Sequence, residues 1–212
     1  MATLQFSAAT TVDHKETPRV PTPATFSIFH LQFCLICSTM EHFLGLLRIR
    51  VLRGSNLAVR DTRSSDPFVV VTMGDTSLKT RVVKNNCNPE WNDELTLSIA
   101  DLRTPIGLSV YDKDTVTDHD KMGDAVIDIE PYIECLKMGL ESLPEGCVVK
   151  RVYPSRTNDL ADESQCVWNK GKIIQNMHLR LKNVECGEVE IQLEWIDVPG
   201  SKGLPKEGMS HF

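Results

Sequence analysis

Residues 106–128 read IGLSVYDKDTVTDHDKMGDAVID, an alternating strand that runs straight into Asp112, Asp114, Asp118 and Asp120. With Asp124, five aspartates fall within thirteen residues. Carboxylates this close repel and raise one another's pKa unless a positive charge sits among them. Hard oxygen ligands in such number suit calcium, which takes about six to eight oxygens. A solvated acidic turn is the alternative, because Asp is a common turn residue. A second acidic loop upstream, carrying Asp61 and Asp66, favours the cation. An EF-hand loop begun at Asp112 does not fit: Thr117 falls where Gly is needed and Gly123 where the bidentate Glu belongs.

Outward from this stretch the chain reads as short strands between turn signals. Residues 46–52 (LLRIRVL) alternate, with Leu47, Ile49 and Val51 on one face and Arg48 and Arg50 on the other. After Gly54-Ser55-Asn56 comes a loop in which Pro67 forces Asp66 out of helical geometry, then a strand over 68–73 (FVVVTM). A third strand is expected over 78–83, with Lys79 and Arg81 on one face, followed by Trp91 at the edge of the core and a strand over 94–99. Residues 177–181 and 187–195 (GEVEIQLEW) are the last two strands. This spacing predicts an all-β antiparallel sandwich of about eight strands. Its buried residues should include Val51, Val69, Val71, Leu97, Val110, Ile127 and Leu193.

Residues 131–172 break the rhythm. Pro131 suits the first turn of a helix, and Ile133, Leu136, Met138 and Leu140 are roughly helix-spaced. A strand over 147–152 and a hairpin turning at Asn169-Lys170-Gly171 follow, so a folded insertion of short helix plus hairpin is expected before the last two strands. Its Glu134, Glu141, Glu145, Asp159, Asp162 and Glu163 nearly offset Lys137, Lys150, Arg151, Arg156, Lys170 and Lys172. Mixed charge suits a protein partner better than a bilayer.

The 212 residues suit one ordinary domain, and a net charge of -6 argues against a general nucleic-acid binder. Two calcium ions would bring that charge to about -2. Seven cysteines without paired spacing, and no N-x-S/T acceptor, indicate reduced thiols. Cys34-x-x-Cys37 has no second pair with zinc-ligand spacing. Residues 1–39 read as a disordered, weakly apolar extension: the run at 26–37 (FSIFHLQFCLIC) is too short and polar for a membrane span. Met40 begins a second plausible start, the folded domain spans 40–198, and 199–212 reads as a flexible tail.

Several pieces, in family order, resemble the C2 domain: Asn56-Leu57 with Asp61, Ser65-Asp66-Pro67-Phe68, Lys79-Thr80-Arg81, Asn88-Pro89-Glu90-Trp91-Asn92, Tyr111-Asp112-x-Asp114 and Asp120-x-Met122-Gly123. The resemblance implies that Asp61, Asp66, Asp112, Asp114 and Asp120 bridge two or three calcium ions, with the carbonyls of Arg60 and Lys113 completing the shells. Asp118 is an extra acid in the same loop. It also implies docking to anionic phospholipid, with Lys79 and Arg81 matching a basic patch on the concave sheet. Val70 and Thr72 stand where other members carry lysines, which speaks against strong phosphoinositide selectivity.

GEVEIQLEW resembles the strand that opens one C2 permutation, yet here it closes the chain, which implies the type II topology. More closely, GLLRIRV, NLAVRD, SSDPFVVV, KTRV, NPEWN, DKMGDA, CGEVEIQLEWID and the insertion resemble the small plant C2-domain abscisic-acid-related proteins, also described as GTPase-activating proteins. That family implies a non-enzymatic adaptor and positive regulator of abscisic acid signalling. Members recruit soluble abscisic acid receptors of the PYR/PYL type to the plasma membrane with calcium, and occur in cytoplasm, cell membrane and nucleus. Two alternatives differ in class. A GTPase regulator would use Arg151 or Arg156 of the insertion as an inserted arginine. An aspartate-nucleophile phosphatase would use Asp112-Lys113-Asp114, but needs an α/β sheet with a helix after the motif.

Overall fold

A computed structural model describes residues 42–60, 64–114 and 119–205 of the chain. The expectations for residues 1–39, including Cys34 and Cys37, and those for Asp61 and Asp118 lie outside the described residues.

The alternation at 46–52 becomes strand β1 (Gly45–Ser55), with Leu47, Ile49 and Val51 completely buried. Chain order continues as β2 (Pro67–Met73), β3 (Thr76–Lys79), β4 (Glu90–Ile99), β5 (Ile106–Asp112) and β6 (Lys121–Ile127). The insertion then supplies helix α1 (Glu130–Lys137), β7 (Val148–Val152) and β8 (Ser164–Asn169), and the chain closes with β9 (Lys172–Arg180) and β10 (Glu188–Ile196). Two antiparallel sheets result, ordered β4-β1-β10-β9-β8-β7 and β3-β2-β5-β6. β1 to β6 with β9 and β10 are the eight strands of the expected sandwich. The last strand lies beside the first, Leu47 opposite Trp195 and Val51 opposite Ile191, which is the type II arrangement.

The insertion does not stand apart from the sandwich. Ser164, Cys166 and Trp168 give β8 a buried face, so β7 and β8 extend the larger sheet. The returning arm of its hairpin is the penultimate strand itself, since β9 runs unbroken from Lys172 to Arg180. Lys170 and Gly171 have φ of 49° and 82°, the two left-handed positions of a type I′ hairpin turn.

One boundary is corrected. The third strand ends at Lys79, not near residue 83. The Thr80 N–H still donates to the Val69 carbonyl at 2.9 Å, but the returning bond is taken by its hydroxyl, which accepts from the Val69 N–H at 2.9 Å and donates to the Arg81 carbonyl at 2.9 Å. The Arg81 N–H then donates to Asp93 Oδ2 at 2.6 Å, drawing the chain toward β4.

All seven residues expected in the core are buried, and Trp91 lies fully inside it. α1 is fixed through Tyr132, whose hydroxyl donates to the Ile173 carbonyl and accepts from the Trp195 N–H, both at 2.8 Å. Burial pushes the phenol pKa up, so it stays a donor. Tyr132→Phe should leave both main-chain groups buried without a partner and cost about 1–3 kcal/mol, read from urea unfolding. Beyond β10, the Lys202 N–H donates to the Phe43 carbonyl at 2.9 Å, and Leu204 packs partly buried against the core.

Candidate functional site

β1 and β5 both run toward the same end of the sandwich, and the loops leaving them carry the acidic residues. The first loop is held from inside. Leu57 and Ala58 are buried, and the Leu57 N–H donates to the Cys87 carbonyl at 2.9 Å. The buried Ser65 hydroxyl donates to the Ala58 carbonyl at 3.2 Å and accepts from the Arg60 N–H at 2.9 Å. Pro67 and Asp112 are opposite one another in the β2–β5 ladder, which brings Asp66 to the end of β5.

Asp66 and Asp112 are directly joined. The Asp66 N–H donates to Asp112 Oδ1 at 2.6 Å, while Asp66 Oδ1 accepts from the Asn85 N–H at 2.8 Å. The Lys113 N–H donates to the Asp66 carbonyl at 3.1 Å, tying the two loops by their backbones. Across the β5–β6 loop, the Asp112 N–H donates to the Asp120 carbonyl at 2.8 Å and the Asp120 N–H to Asp114 Oδ2 at 3.2 Å. Asp112 is only 1% exposed, and its Oδ2 is buried with no hydrogen-bond partner among the described residues. An ionised oxygen left so costs several kcal/mol, which a cation bound to it would offset. The donor set, carboxylates and carbonyls only, matches a hard cation such as calcium.

Among the described residues, no group of three or more His, Cys, Asp and Glu side chains converges into a metal cage. What converges is two linked pairs, Asp66 with Asp112 and Asp114 with Asp120, and Asp61 is outside the described residues. Beside them Lys113 Nζ lies 3.1 Å from His119 Nε2, and His119 meets Phe68 edge-on, with Phe68 stacked on Tyr111.

Lys79 and Arg81 do not form a matched pair on one strand. Lys79 is exposed on β3 opposite Val70, whereas Arg81, past the strand's end, donates to the Glu90 carbonyl at 3.0 Å and faces Asp93 at 3.8 Å. In the insertion Arg151 pairs with Glu163, while Arg156 sits in an exposed turn. The phosphatase alternative is overturned, because its motif needs an α/β sheet, whereas β5 lies in an antiparallel sheet and the next element among the described residues is its antiparallel neighbour β6.

Sequence reasoning missed Glu185, in the β9–β10 loop, which grips the Arg60 side chain across 125 residues of chain. No local pattern announces it. The Ser65 role was legible only as a letter in the Ser-Asp-Pro run.

The C2 domain family matches residues 45–143. The protein C2-DOMAIN ABA-RELATED 10 of Arabidopsis thaliana is 61% identical over 163 residues, covering 76% of this chain and 91% of that protein. GTPase activating protein 1 of Oryza sativa subsp. japonica is 57% identical over 165 residues, covering 78% of this chain and 99% of that one. Among solved structures, the C2A domain of plant extended synaptotagmin 1 is similar with a TM-score of 0.49 and 23% identity, over 74% of this chain and 97% of that one. The chain belongs to the C2-domain ABA-related family of regulatory C2 proteins.

Proposed function

We propose that this chain is a calcium-dependent phospholipid-binding adaptor that brings an abscisic acid receptor to the plasma membrane and so promotes abscisic acid signalling. The observation that carries the reading is the buried, unpartnered Oδ2 of Asp112 at the end of β5. Two or three calcium ions would be held by Asp61, Asp66, Asp112, Asp114 and Asp120 with the Arg60 and Lys113 carbonyls, and would supply positive charge and open positions for lipid phosphate oxygens. The chain's own part is orientation. Asp112 is fixed through Oδ1, which leaves Oδ2 for the cation, and the Lys113 N–H is tied to the Asp66 carbonyl, which fixes the peptide beside it.

The insertion supplies the partner surface, being folded, of mixed charge, and additional to the eight strands of the sandwich. The rice relative's name favours a GTPase as the second partner class, with Arg156 the better placed arginine because Arg151 is paired. Calcium would move the protein between cytoplasm and membrane, and the nucleus is a further location.

Co-sedimentation with phosphatidylserine vesicles tests the reading. The chain should pellet with calcium and remain in solution with chelator, and a purified abscisic acid receptor should pellet only when the chain does. Pelleting that ignores chelator would sink the calcium part. A receptor left in the supernatant would sink the adaptor part.

A further inference from the structure

The Arg60 side chain is engaged away from the carboxylates. Its Nη1 and Nη2 donate to Glu185 Oε1 and Oε2 at 2.7 and 3.0 Å, and its Nε donates to the Lys121 carbonyl at 3.4 Å. One guanidinium therefore joins the loop after β1, the first residue of β6 and the β9–β10 loop. Such a fork fixes direction as well as distance. On the main chain, the Arg60 N–H is held by Ser65 at 2.9 Å, so the residue is gripped at both ends. Glu185 comes within reach because β6 and the β9–β10 loop approach closely at Gly123. A Cβ there would meet Val184 Cγ1 at 2.6 Å and Leu181 Cβ at 2.9 Å, and its φ of +110° also excludes side chains. The hydrogen bond and charge of Glu185 raise the Arg60 pKa, and Arg60 in turn holds the Glu185 carboxyl below its ordinary value.

We propose that the Arg60–Glu185 pair is a positioning element that sets the affinity of the adjacent acidic loops for calcium, by holding the backbone that presents the Arg60 carbonyl in one conformation. The inference rests on the calcium reading above. A backbone already ordered in the free protein does not lose conformational freedom when the ion binds, so affinity rises. Arg60 and Glu185 act through the carbonyl and are positioning residues.

Charge and positioning can be separated. Glu185→Gln alone leaves a bare guanidinium beside the acidic loops, so charge and positioning both weaken cation binding. Arg60→Met alone leaves a bare carboxylate, so charge would tighten binding whereas lost positioning weakens it. The double variant Arg60→Met with Glu185→Gln changes net charge by zero.

Calcium titration calorimetry on the full chain, with melting and amide hydrogen exchange in chelator, reads all three. The expected result is about tenfold weaker calcium binding by the double variant. Arg60→Met alone should also be weaker, the Arg60 amide should exchange faster without calcium, and the melting point in chelator should stay close to the parent's. Arg60→Lys, which keeps the charge and loses the fork, should fall between. A double variant that titrates like the parent, or Arg60→Met binding more tightly, overturns the inference. A parent chain that takes up no calcium defeats the preceding reading first, and this one with it.

Discussion

Replacing Asp112 and Asp114 together with asparagine is expected to weaken calcium binding at least about a hundredfold, roughly 2.7 kcal/mol, and to abolish calcium-dependent vesicle binding. The melting temperature in chelator should hold or rise. An amide side chain at position 112 can still accept from the Asp66 N–H through Oδ1, the bond now made at 2.6 Å, so the loop junction survives. What disappears is a buried, partnerless anionic oxygen and its repulsion with neighbouring carboxylates. Destabilisation without calcium would show that Asp112 serves the fold. Retained calcium-dependent pelleting would show that the ions are held elsewhere.

The second large effect is expected at Trp91. It is fully buried, and its Nε1–H donates to the Pro67 carbonyl at 3.1 Å. Gly54 leaves room for its ring, since a Cβ there would lie 3.0 Å from Trp91 Cη2. Trp91→Ala should cost about 3–5 kcal/mol, a large share of the roughly 5–15 kcal/mol a domain possesses. Trp91→Phe keeps most of the apolar volume and loses the hydrogen bond, at about 1–2 kcal/mol. Urea midpoints at constant slope measure both. Because Pro67 follows Asp66 directly, the alanine variant should also weaken calcium binding in whatever fraction stays folded. Equal midpoints for Trp91→Ala and the parent would mean that the ring does not anchor the two sheets.

The sandwich was legible because its strands carry period-two apolar patterns that only one register can bury. Leu47, Ile49 and Val51 in β1, and Val189, Ile191 and Leu193 in β10, are examples. The turn at Asn169-Lys170-Gly171 was legible because glycine takes the positive φ that such a turn requires, here 82° at Gly171. The acidic loops were legible as composition, but not the division of labour within them. That Asp112 gives one oxygen to Asp66 and keeps the other unpartnered depends on how β2 registers against β5. The end of β3 was misjudged because a threonine hydroxyl imitating a ladder bond leaves no mark on hydropathy. The grip of Glu185 on Arg60 was invisible for a related reason, being a contact between loops made possible by a missing Cβ at Gly123.

The place of β1 between β4 and β10 has a consequence for biosynthesis. Gly45–Ser55 is the first strand, yet one of its two ladder partners is the last, so that edge stays open until residues 188–196 have emerged. At about 5–20 residues per second the wait is roughly seven to thirty seconds. Through it a strand bearing Leu47, Ile49 and Val51 is exposed to pairing with other chains, and contacts of such long range also slow folding. Arg48, Arg50 and Arg53 occupy the opposite face of that strand, and three like charges at near-alternate positions repel a second copy of themselves. In the finished sheet they are neutralised from both sides, by Glu94 on β4 and by Glu190 and Glu194 on β10. Ion pairs this exposed add little to stability, so the larger service of the arginines falls in the interval before Glu190 and Glu194 arrive, when their charge opposes pairing between nascent chains.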